Sequence, residues 1–153
     1  MIAMDVRRFA TEAVMGKNEN MGAQGKFGEA VNSGKLEGLR DVVDAKALDH
    51  DPGPGQGLGP EGFIGYFSSL RKAFPDLNVA GEKLVADDDN VAIAYTLTGT
   101  HLGDFMGIAP TGRKIAARGV QIARFENGKL VERWGSSDQL GILQQLGVKA
   151  AGA

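Results

Sequence analysis

The spacing of hydrophobic residues changes at one point along the chain, close to Pro75. Before that point, apolar residues recur every three or four positions, which is the spacing of helices that bury one face. After it, apolar and polar residues alternate, which is typical of strands with one buried face. Helices followed by paired strands favour an α+β fold. An antiparallel sheet that curls around one face, with the helices closing it, would enclose a cavity.

The start of the sequence predicts two helices. Residues 4–15 carry apolar side chains at helical spacing. The polar, glycine-containing segment 16–28 is either a flexible link or a weakened continuation of this helix to about Ser33. Gly34 is suited to end a helix, because glycine readily adopts the left-handed conformation of a helix C-terminus. The second helix would take its apolar face from Leu36, Leu39, Val42 and Val43.

A long loop and a third helix come next. Two Pro-Gly steps in residues 48–58 predict a loop, because neither a helix nor a strand tolerates them in its interior. The third helix is predicted to begin near Pro60, with proline in its first turn, and to end before Pro75. Its apolar face consists of Phe63, Phe67, Leu70 and Phe74.

The second half of the chain predicts two hairpins and a terminal helix. An acidic turn at residues 87–90 joins the first pair of strands. Asn127-Gly128, a strong hairpin signal, joins the second pair. The predicted strands cover residues 77–86, 91–101, 113–125 and 129–137. Residues 138–148 then have the pattern of a short helix.

Composition narrows the class of protein. The 153 residues fit a single domain covering 1–153. With 17 basic and 19 acidic residues the net charge is −2, so no basic surface predicts nucleic-acid binding. The chain has no cysteine, and its two histidines belong to no metal-binding motif, so we expect no metal site. No apolar run approaches the roughly 18 residues of a membrane span, and the N-terminus lacks a signal-peptide core. We therefore expect a cytoplasmic protein without a membrane partner.

Three segments share their order and motifs with one protein family: residues 49–77, 99–114 and 122–147. They hold the long loop with the third helix, a glycine-rich loop, and the closing hairpin with its helix. In these segments the chain resembles the SnoaL-like polyketide cyclases and their "ester cyclase" relatives. The resemblance covers residues 27–148 and leaves 1–26 as an N-terminal extension, for which a helix is one interpretation.

This resemblance implies the cone-shaped α+β fold of the nuclear transport factor two-like superfamily, in which N-terminal helices close a deep apolar pocket over a curved antiparallel sheet. Members commonly associate through the outer face of the sheet, so we expect a homodimer or homotetramer. The family's cyclases close a polyketide ring by an aldol reaction that uses neither a metal nor another cofactor. The resemblance therefore implies no cofactor for this chain.

The resemblance also places the family's catalytic groups on two strands. Its buried aspartate, which removes and returns a proton, falls on Gly135, and its polar partner fourteen residues earlier falls on Gln121. His101 matches a histidine that the cyclases also have. Because glycine cannot transfer a proton, the fold carries over but the aldol mechanism does not. We expect Gly135 to face the cavity and to leave room for a ligand or water.

Three other side chains are candidate catalysts, and each has a structural alternative. Asp138 is the carboxylate nearest to Gly135, but it also suits the N-cap of the last helix. His50, between two aspartates beside the predicted pocket mouth, can titrate near neutral pH or can order a turn. His101 acts in the site, or it holds the glycine-rich loop through a hydrogen bond.

Four residues are predicted to bind a small hydrophobic ligand. Gln121 would bond to a ligand carbonyl, Gly135 would leave space, and Phe67 would face the cavity from the third helix. Trp134 either lines the pocket or packs against a second subunit. Two functions fit these predictions. One is cofactor-free general acid–base chemistry on a small hydrophobic carbonyl compound; the alternative is a non-catalytic small-molecule-binding module of the same fold.

Overall fold

The computed structural model describes residues 6–149, with side chains from residue 16 onward. In this range the helices are α1 (Val6–Ser33), α2 (Leu39–Val42), α3 (Gly59–Ala73) and α4 (Gln139–Gln145), and a short 3-10 turn, Leu36–Gly38, precedes α2. The strands are β1 (Val43–Asp49), β2 (Asn78–Ala86), β3 (Asn90–Thr100), β4 (Lys114–Glu126) and β5 (Lys129–Ser137). None of the helices in residues 6–149 combines the length and the hydrophobicity that crossing a membrane would require.

The polar segment after residue 15 continues the first helix, because α1 runs unbroken to Ser33. Its buried residues are spaced to lie on one face: Asn20, Ala23, Gln24, Phe27, Ala30 and Val31. Packing of that face outweighs the low helix propensity of the intervening glycines. Gly34 then adopts a positive φ of 76°, and its N–H bonds to the Ala30 carbonyl, as predicted for the end of this helix. The predicted helix start at Met4 and the side chains of residues 4–15 lie outside the described part of the chain.

The predicted second helix is much shorter than the sequence suggested. Leu36 and Leu39 are buried as expected, but α2 ends at Val42. Val43 begins strand β1 and belongs to no helix face, so the prediction was wrong at that end. The reason is tertiary, because residues after Val42 gain backbone hydrogen bonds from β5, a strand far along the chain.

The strands form a five-stranded sheet in the order β1-β5-β4-β3-β2. Three neighbouring pairs are antiparallel, whereas β1 and β5 run parallel. The α+β class and both predicted hairpins are confirmed, and the sheet is mixed because of the one strand that the sequence did not predict. Asn127 and Gly128 both have positive φ, the conformation that an Asn-Gly hairpin turn requires.

Irregular strand pairing contributes to the curvature of the sheet. Register shifts occur near Gly81 in β2 and near Phe125 in β4, and such bulges increase local twist and bending. Helices α1 and α3 pack across the inner face, so helices and sheet enclose a space, as predicted. The sheet remains open, with β1 and β2 at its edges. The core includes the predicted apolar residues Phe63, Leu70 and Phe74.

Candidate functional site

A cavity of about 800 Å³ lies between α1, α3 and the inner face of the sheet. Its apolar wall includes Phe27, Phe63, Phe67, Leu84, Ile93 and Leu97. The Phe27 ring meets those of Phe63 and Phe67 edge to face, at centroid distances of 5.7 and 5.8 Å. Phe67 thus lines the cavity, and its contact with a ligand stays a prediction. A cavity of this size can enclose a drug-sized molecule.

The polar groups of the cavity gather around Arg133, on the inner face of β5. Arg133 Nε donates a hydrogen bond to Gln121 Oε1 at 3.1 Å. Its Nη1 donates to both carboxylate oxygens of Asp49 at 3.0 Å. The side chains of Arg133 and Asp49 are 15% and 4% exposed, so they form a buried ion pair. Arg133 Nη2 takes part in none of these bonds, and the guanidinium lies close enough to the Tyr95 hydroxyl to interact with it as well.

Asp49 is held by more than Arg133. Gln56 Nε2 donates to its Oδ2 at 3.0 Å, and the Asp51 N–H donates to its Oδ1 at 3.0 Å. Because both oxygens are fully engaged, Asp49 fixes the orientation of Arg133 and is not available to a ligand. Within the described side chains, no group of three or more His, Asp or Glu residues is arranged to hold a metal ion.

Gly135 lines the cavity, but the space beside it is occupied. Gly135 pairs with Gln121 across β4 and β5, which brings the two positions of the family motif together. A β-carbon on residue 135 would collide with the guanidinium of Arg133. The room that we expected for a ligand or water is therefore taken by Arg133, because the glycine lets this side chain fold back along its own strand.

A carboxylate nevertheless lies beside Gly135. Asp51 follows the end of β1, and its Oδ2 accepts a hydrogen bond from the Gly135 N–H at 2.9 Å. Asp51 lines the cavity, and its Oδ1 accepts no hydrogen bond from the described residues. A cation and a carboxylate thus flank the position where the resemblance placed the family's aspartate.

Two tyrosines add hydroxyl groups to the cavity wall. Burial raises the pKa of Tyr66 and of Tyr95, and the nearby positive charge of Arg133 opposes this in both, aided at Tyr95 by a hydrogen bond from Arg133. Both phenols are therefore protonated at neutral pH and can donate hydrogen bonds to a ligand. Tyr66 packs so closely against Gly53 that a β-carbon there would collide with its ring, which ties the long loop to α3.

Gln121 lies on the inner face of β4, and both ends of its amide are engaged. Its Oε1 accepts from Arg133, and its Nε2 donates to Gln24 Oε1 at 3.3 Å. Gln121 and Gln24 are both buried. The amide therefore orients Arg133, and a direct bond from Gln121 to a ligand stays a prediction.

Trp134 and His50 lie on the outer face of the sheet, opposite the cavity. Successive residues of a strand alternate between faces, so Trp134 points outward between Arg133 and Gly135. Its ring stacks on His50 with centroids 4.5 Å apart and planes inclined by 5°. Neither residue lines the cavity. The geometry therefore does not support Trp134 as a pocket wall or His50 as a direct catalyst, whereas Trp134 remains available to a second subunit.

His101 is fully buried and lies outside the cavity, beside Phe74. Its Nδ1 accepts a hydrogen bond from the Thr111 N–H at 3.2 Å and lies 3.0 Å from the Thr111 hydroxyl. The His101 backbone bonds to Gly112 and Arg113 in the same loop. The geometry thus supports the structural alternative, in which His101 holds the two ends of the glycine-rich loop together.

Asp138 occupies the N-cap position of α4. Its Oδ1 accepts a hydrogen bond from the Gly141 N–H at 2.8 Å. The side chain is exposed and does not line the cavity. The geometry therefore supports the cap, and a catalytic role for Asp138 stays a prediction.

Asp138→Ala should lower the free energy of unfolding by about 0.5–2 kcal/mol, because it removes the hydrogen bond of the cap. Asp138→Asn retains an oxygen acceptor and should stay close to wild type. Urea unfolding of the three proteins measures the effect. An unchanged midpoint for Asp138→Ala would contradict the cap.

The sequence did not indicate Arg133, Asp49 or Asp51 as site residues. Strand alternation offered part of the signal, because Arg133 and Gly135 share one face of their strand. The same rule places Asp49 and Asp51 on one face and His50 on the opposite face. The missing information was the pairing of β1 with β5, which joins residues 84 positions apart in the sequence.

Comparisons with known proteins agree with this architecture. The family model described as SnoaL-like polyketide cyclase matches residues 22–146. Aklanonic acid methyl ester cyclase DauD of Streptomyces sp. strain C5 is 29% identical over 127 residues, which cover 78% of this chain and 76% of that protein. Aklanonic acid methyl ester cyclase DnrD of Streptomyces peucetius is 28% identical over 126 residues, covering 78% and 84%.

Solved structures share the same fold. IdmH from Streptomyces antibioticus is 33% identical, with a TM-score of 0.74 over 84% of this chain and 99% of that one. TsrD from Streptomyces laurentii is 25% identical, with a TM-score of 0.78 over 85% and 96%. The matched region spans both hairpins, α3 and most of the cavity. The chain therefore belongs to the SnoaL-like polyketide cyclase family.

Proposed function

We propose that this chain binds a polyketide-type carbonyl compound in the cavity and removes a proton from the carbon next to its carbonyl group. The observation that carries the proposal is the pair of groups beside Gly135. Arg133 Nη2 takes no part in the ion pair with Asp49, and it lies in the cavity near the Tyr95 hydroxyl. The Asp51 carboxylate is anchored by one oxygen, and its other oxygen accepts no hydrogen bond from the described residues. A carboxylate base and a fixed cation suit the formation and stabilisation of an enolate.

The proposed reaction is an intramolecular aldol ring closure. Gly135 alone could not support this mechanism, and the proposal gives the role of the missing aspartate to Asp51. Asp51 takes the proton, and the electrons of the broken C–H bond form an enolate whose oxygen is stabilised by Arg133. The enolate carbon attacks a second carbonyl of the same molecule, which forms the new C–C bond. The resulting alkoxide takes the proton back from Asp51. Atoms and charge balance, so the step needs no co-reactant.

The relatives suggest a substrate for testing. DauD and DnrD are named as cyclases of aklanonic acid methyl ester. In the cavity, Asp49 matches the charge of Arg133, and Asp51 adds a further negative charge. A neutral ester therefore suits the cavity better than a free carboxylate, which Asp51 would repel.

Two assays of the wild-type protein test the proposal. Deuterium exchange at C1 of 2-tetralone in D2O, followed by NMR, measures proton abstraction by itself. Chromatography of aklanonic acid methyl ester measures ring closure. We expect the protein to exchange deuterium into 2-tetralone faster than buffer alone does. It should also be faster than serum albumin, a control protein whose surface carboxylates act non-specifically. Absence of both exchange and ring closure would refute the proposal.

The second candidate function is binding without catalysis. It is favoured by Gly135, since the family's proton-transferring aspartate is absent from that position. This alternative predicts that the ester binds in titration calorimetry while 2-tetralone exchanges no faster than in the albumin control. Binding together with exchange would exclude it.

We also propose that the chain forms a homodimer through the outer face of the sheet. Three apolar side chains on neighbouring strands support this: Val120, Ile122 and Trp134 are 55%, 44% and 37% exposed. Ile122 and Trp134 lie directly opposite each other across β4 and β5. Apolar clusters of this kind are common at the centre of subunit interfaces.

Light scattering should give a mass near twice the 16.1 kDa of the chain. Ile122→Glu should shift the protein to a monomer, because the interface would bury an unpaired charge. Leu102→Glu, on an exposed loop away from this face, is the control and should leave the mass unchanged. A monomer mass for the wild-type protein would remove the proposal.

A further inference from the structure

We propose that His50 is a positioning residue for the cavity. Its ring, on the outer face of the sheet, holds the end of β1. Asp49 and Asp51 thereby stay in register with Arg133 and Gly135. The inference rests on the proposed function, because it gives a role in that chemistry to a side chain that does not touch the site. Its physical basis is that His50 is bonded directly to Asp49 and Asp51 along the backbone, so a movement of His50 moves both residues.

His50 lies between the two cavity carboxylates. Asp49 and Asp51 line the cavity, whereas His50 points to the outer face. The His50 N–H donates to the Arg133 carbonyl at 2.8 Å. The next carboxylate, that of Asp51, accepts from the Gly135 N–H at 2.9 Å. A shift of His50 along β5 therefore moves both carboxylates relative to the guanidinium.

The end of β1 is weakly supported by the sheet itself. β1 is an edge strand, and β5 is its neighbour in the described sheet. Its pairing is interrupted, because Val43 lies opposite Leu130 and the next paired residue, Leu48, lies opposite Glu132. The long glycine- and proline-rich loop begins directly after the strand. Few backbone contacts therefore fix the position of residues 49–51.

The ring of His50 adds side-chain contacts on the outer face, where the backbone of residues 49–51 has few. It stacks on Trp134 in nearly parallel orientation. Its Nε2 lies 3.2 Å from Glu132 Oε1, and Glu132 Oε2 accepts from Arg124 Nε at 2.5 Å. Arg124 first, and His50 second, hold the pKa of Glu132 below its ordinary value, so this carboxylate is charged at neutral pH. The stack and the carboxylate together fix the ring against β5.

Two substitutions separate the parts of this contact, and a third is the control. His50→Ala removes the ring, whereas His50→Phe keeps a ring that can stack on Trp134 but cannot bond to Glu132. Leu48→Ala changes an exposed side chain of β1 that points to the outer face of the sheet, as His50 does. Each protein is tested in the 2-tetralone assay. The second readout is hydrogen exchange of the Gly135 amide by NMR, because this amide bonds directly to Asp51.

We expect His50→Ala to slow 2-tetralone exchange by about 10- to 100-fold, the effect of displacing a reacting group by roughly 1 Å. The Gly135 amide should exchange faster in the same variant, because its bond to Asp51 is weakened. His50→Phe should recover most of both properties, and Leu48→Ala should match wild type in both.

Two results would overturn the inference. One is a His50→Ala protein with wild-type values in both assays. The other is slower 2-tetralone exchange with unchanged protection of the Gly135 amide, because Asp51 would then be in place. A wild-type protein that neither exchanges 2-tetralone nor closes the ring of aklanonic acid methyl ester would refute the proposed function, and the Gly135 amide would still decide whether His50 positions Asp51.

Discussion

Asp51→Asn is expected to slow proton abstraction from 2-tetralone by about 10²–10⁴-fold, the usual contribution of a general base. The side chain keeps its shape, and its amide oxygen can still accept the hydrogen bond from the Gly135 N–H. The variant therefore loses the basic carboxylate and little else. NMR measurement of deuterium exchange gives the rate, and thermal unfolding checks that the fold is intact.

Asp41→Asn is the matched control for this experiment. Asp41 is exposed on α2 and does not line the cavity, so its variant carries the same change in charge without touching the site. It should retain the wild-type rate. An Asp51→Asn protein that exchanges 2-tetralone as fast as this control would show that another group is the base.

Arg133→Ala is expected to lower the free energy of unfolding by about 3–5 kcal/mol, the usual cost of removing one partner of a buried ion pair. Asp49 would remain buried and would lose two of the hydrogen bonds that its carboxylate accepts. The same substitution removes the group that we assign to the enolate oxygen. Urea unfolding measures the loss of stability.

Two further variants show whether this loss comes from the buried charge. Asp49→Asn in the Arg133→Ala background removes the unpaired charge and should recover part of the lost stability. Arg118→Ala breaks a pair with Glu82 on the outer surface, where Arg118 is 77% exposed, and should change the free energy of unfolding very little. Equal losses for Arg133→Ala and Arg118→Ala would contradict the buried ion pair.

Together, Gly135 and Arg133 distinguish this chain from the pattern that the family resemblance implied. The resemblance placed an aspartate at position 135, with its carboxylate in the cavity. Here the glycine admits the guanidinium of Arg133, and the carboxylate beside it comes from Asp51 on another element. The cavity thus contains the Asp51 carboxylate and the Arg133 guanidinium, both beside Gly135. A proton acceptor and a stabiliser of negative charge can therefore act on one substrate without a side chain at position 135.

Features that depend on neighbouring residues were predicted well from the sequence. The Asn127-Gly128 turn followed from the positive φ that glycine and asparagine tolerate. The N-cap by Asp138 was one of two alternatives, and the local hydrogen bond to the Gly141 N–H distinguishes them. Helix α3 followed from the spacing of its phenylalanines and from the flanking prolines. In each case the deciding interactions lie within a few residues of one another.

Features that depend on distant residues were predicted poorly. The sequence of residues 16–28 fitted a flexible link as well as a helix. Packing of Phe27 and Val31 against the core stabilises the helix. Strand β1 was not predicted, and its pairing with β5, a strand far along the chain, supplies the hydrogen bonds that define it. Local propensity contributes less to the free energy of folding than the burial of apolar surface and the hydrogen bonding of backbone groups.

The sequence by itself determined the α+β class, both hairpins, α3 and the family. These follow from hydrophobic period, turn chemistry and motif order, which are properties of contiguous segments. Tertiary structure alone decided which charges meet in the cavity, because Asp49 and Arg133 are 84 positions apart and join through a parallel strand pair. It also decided that His50 and Trp134 face away from the cavity, since the face of a residue depends on the register of its strand.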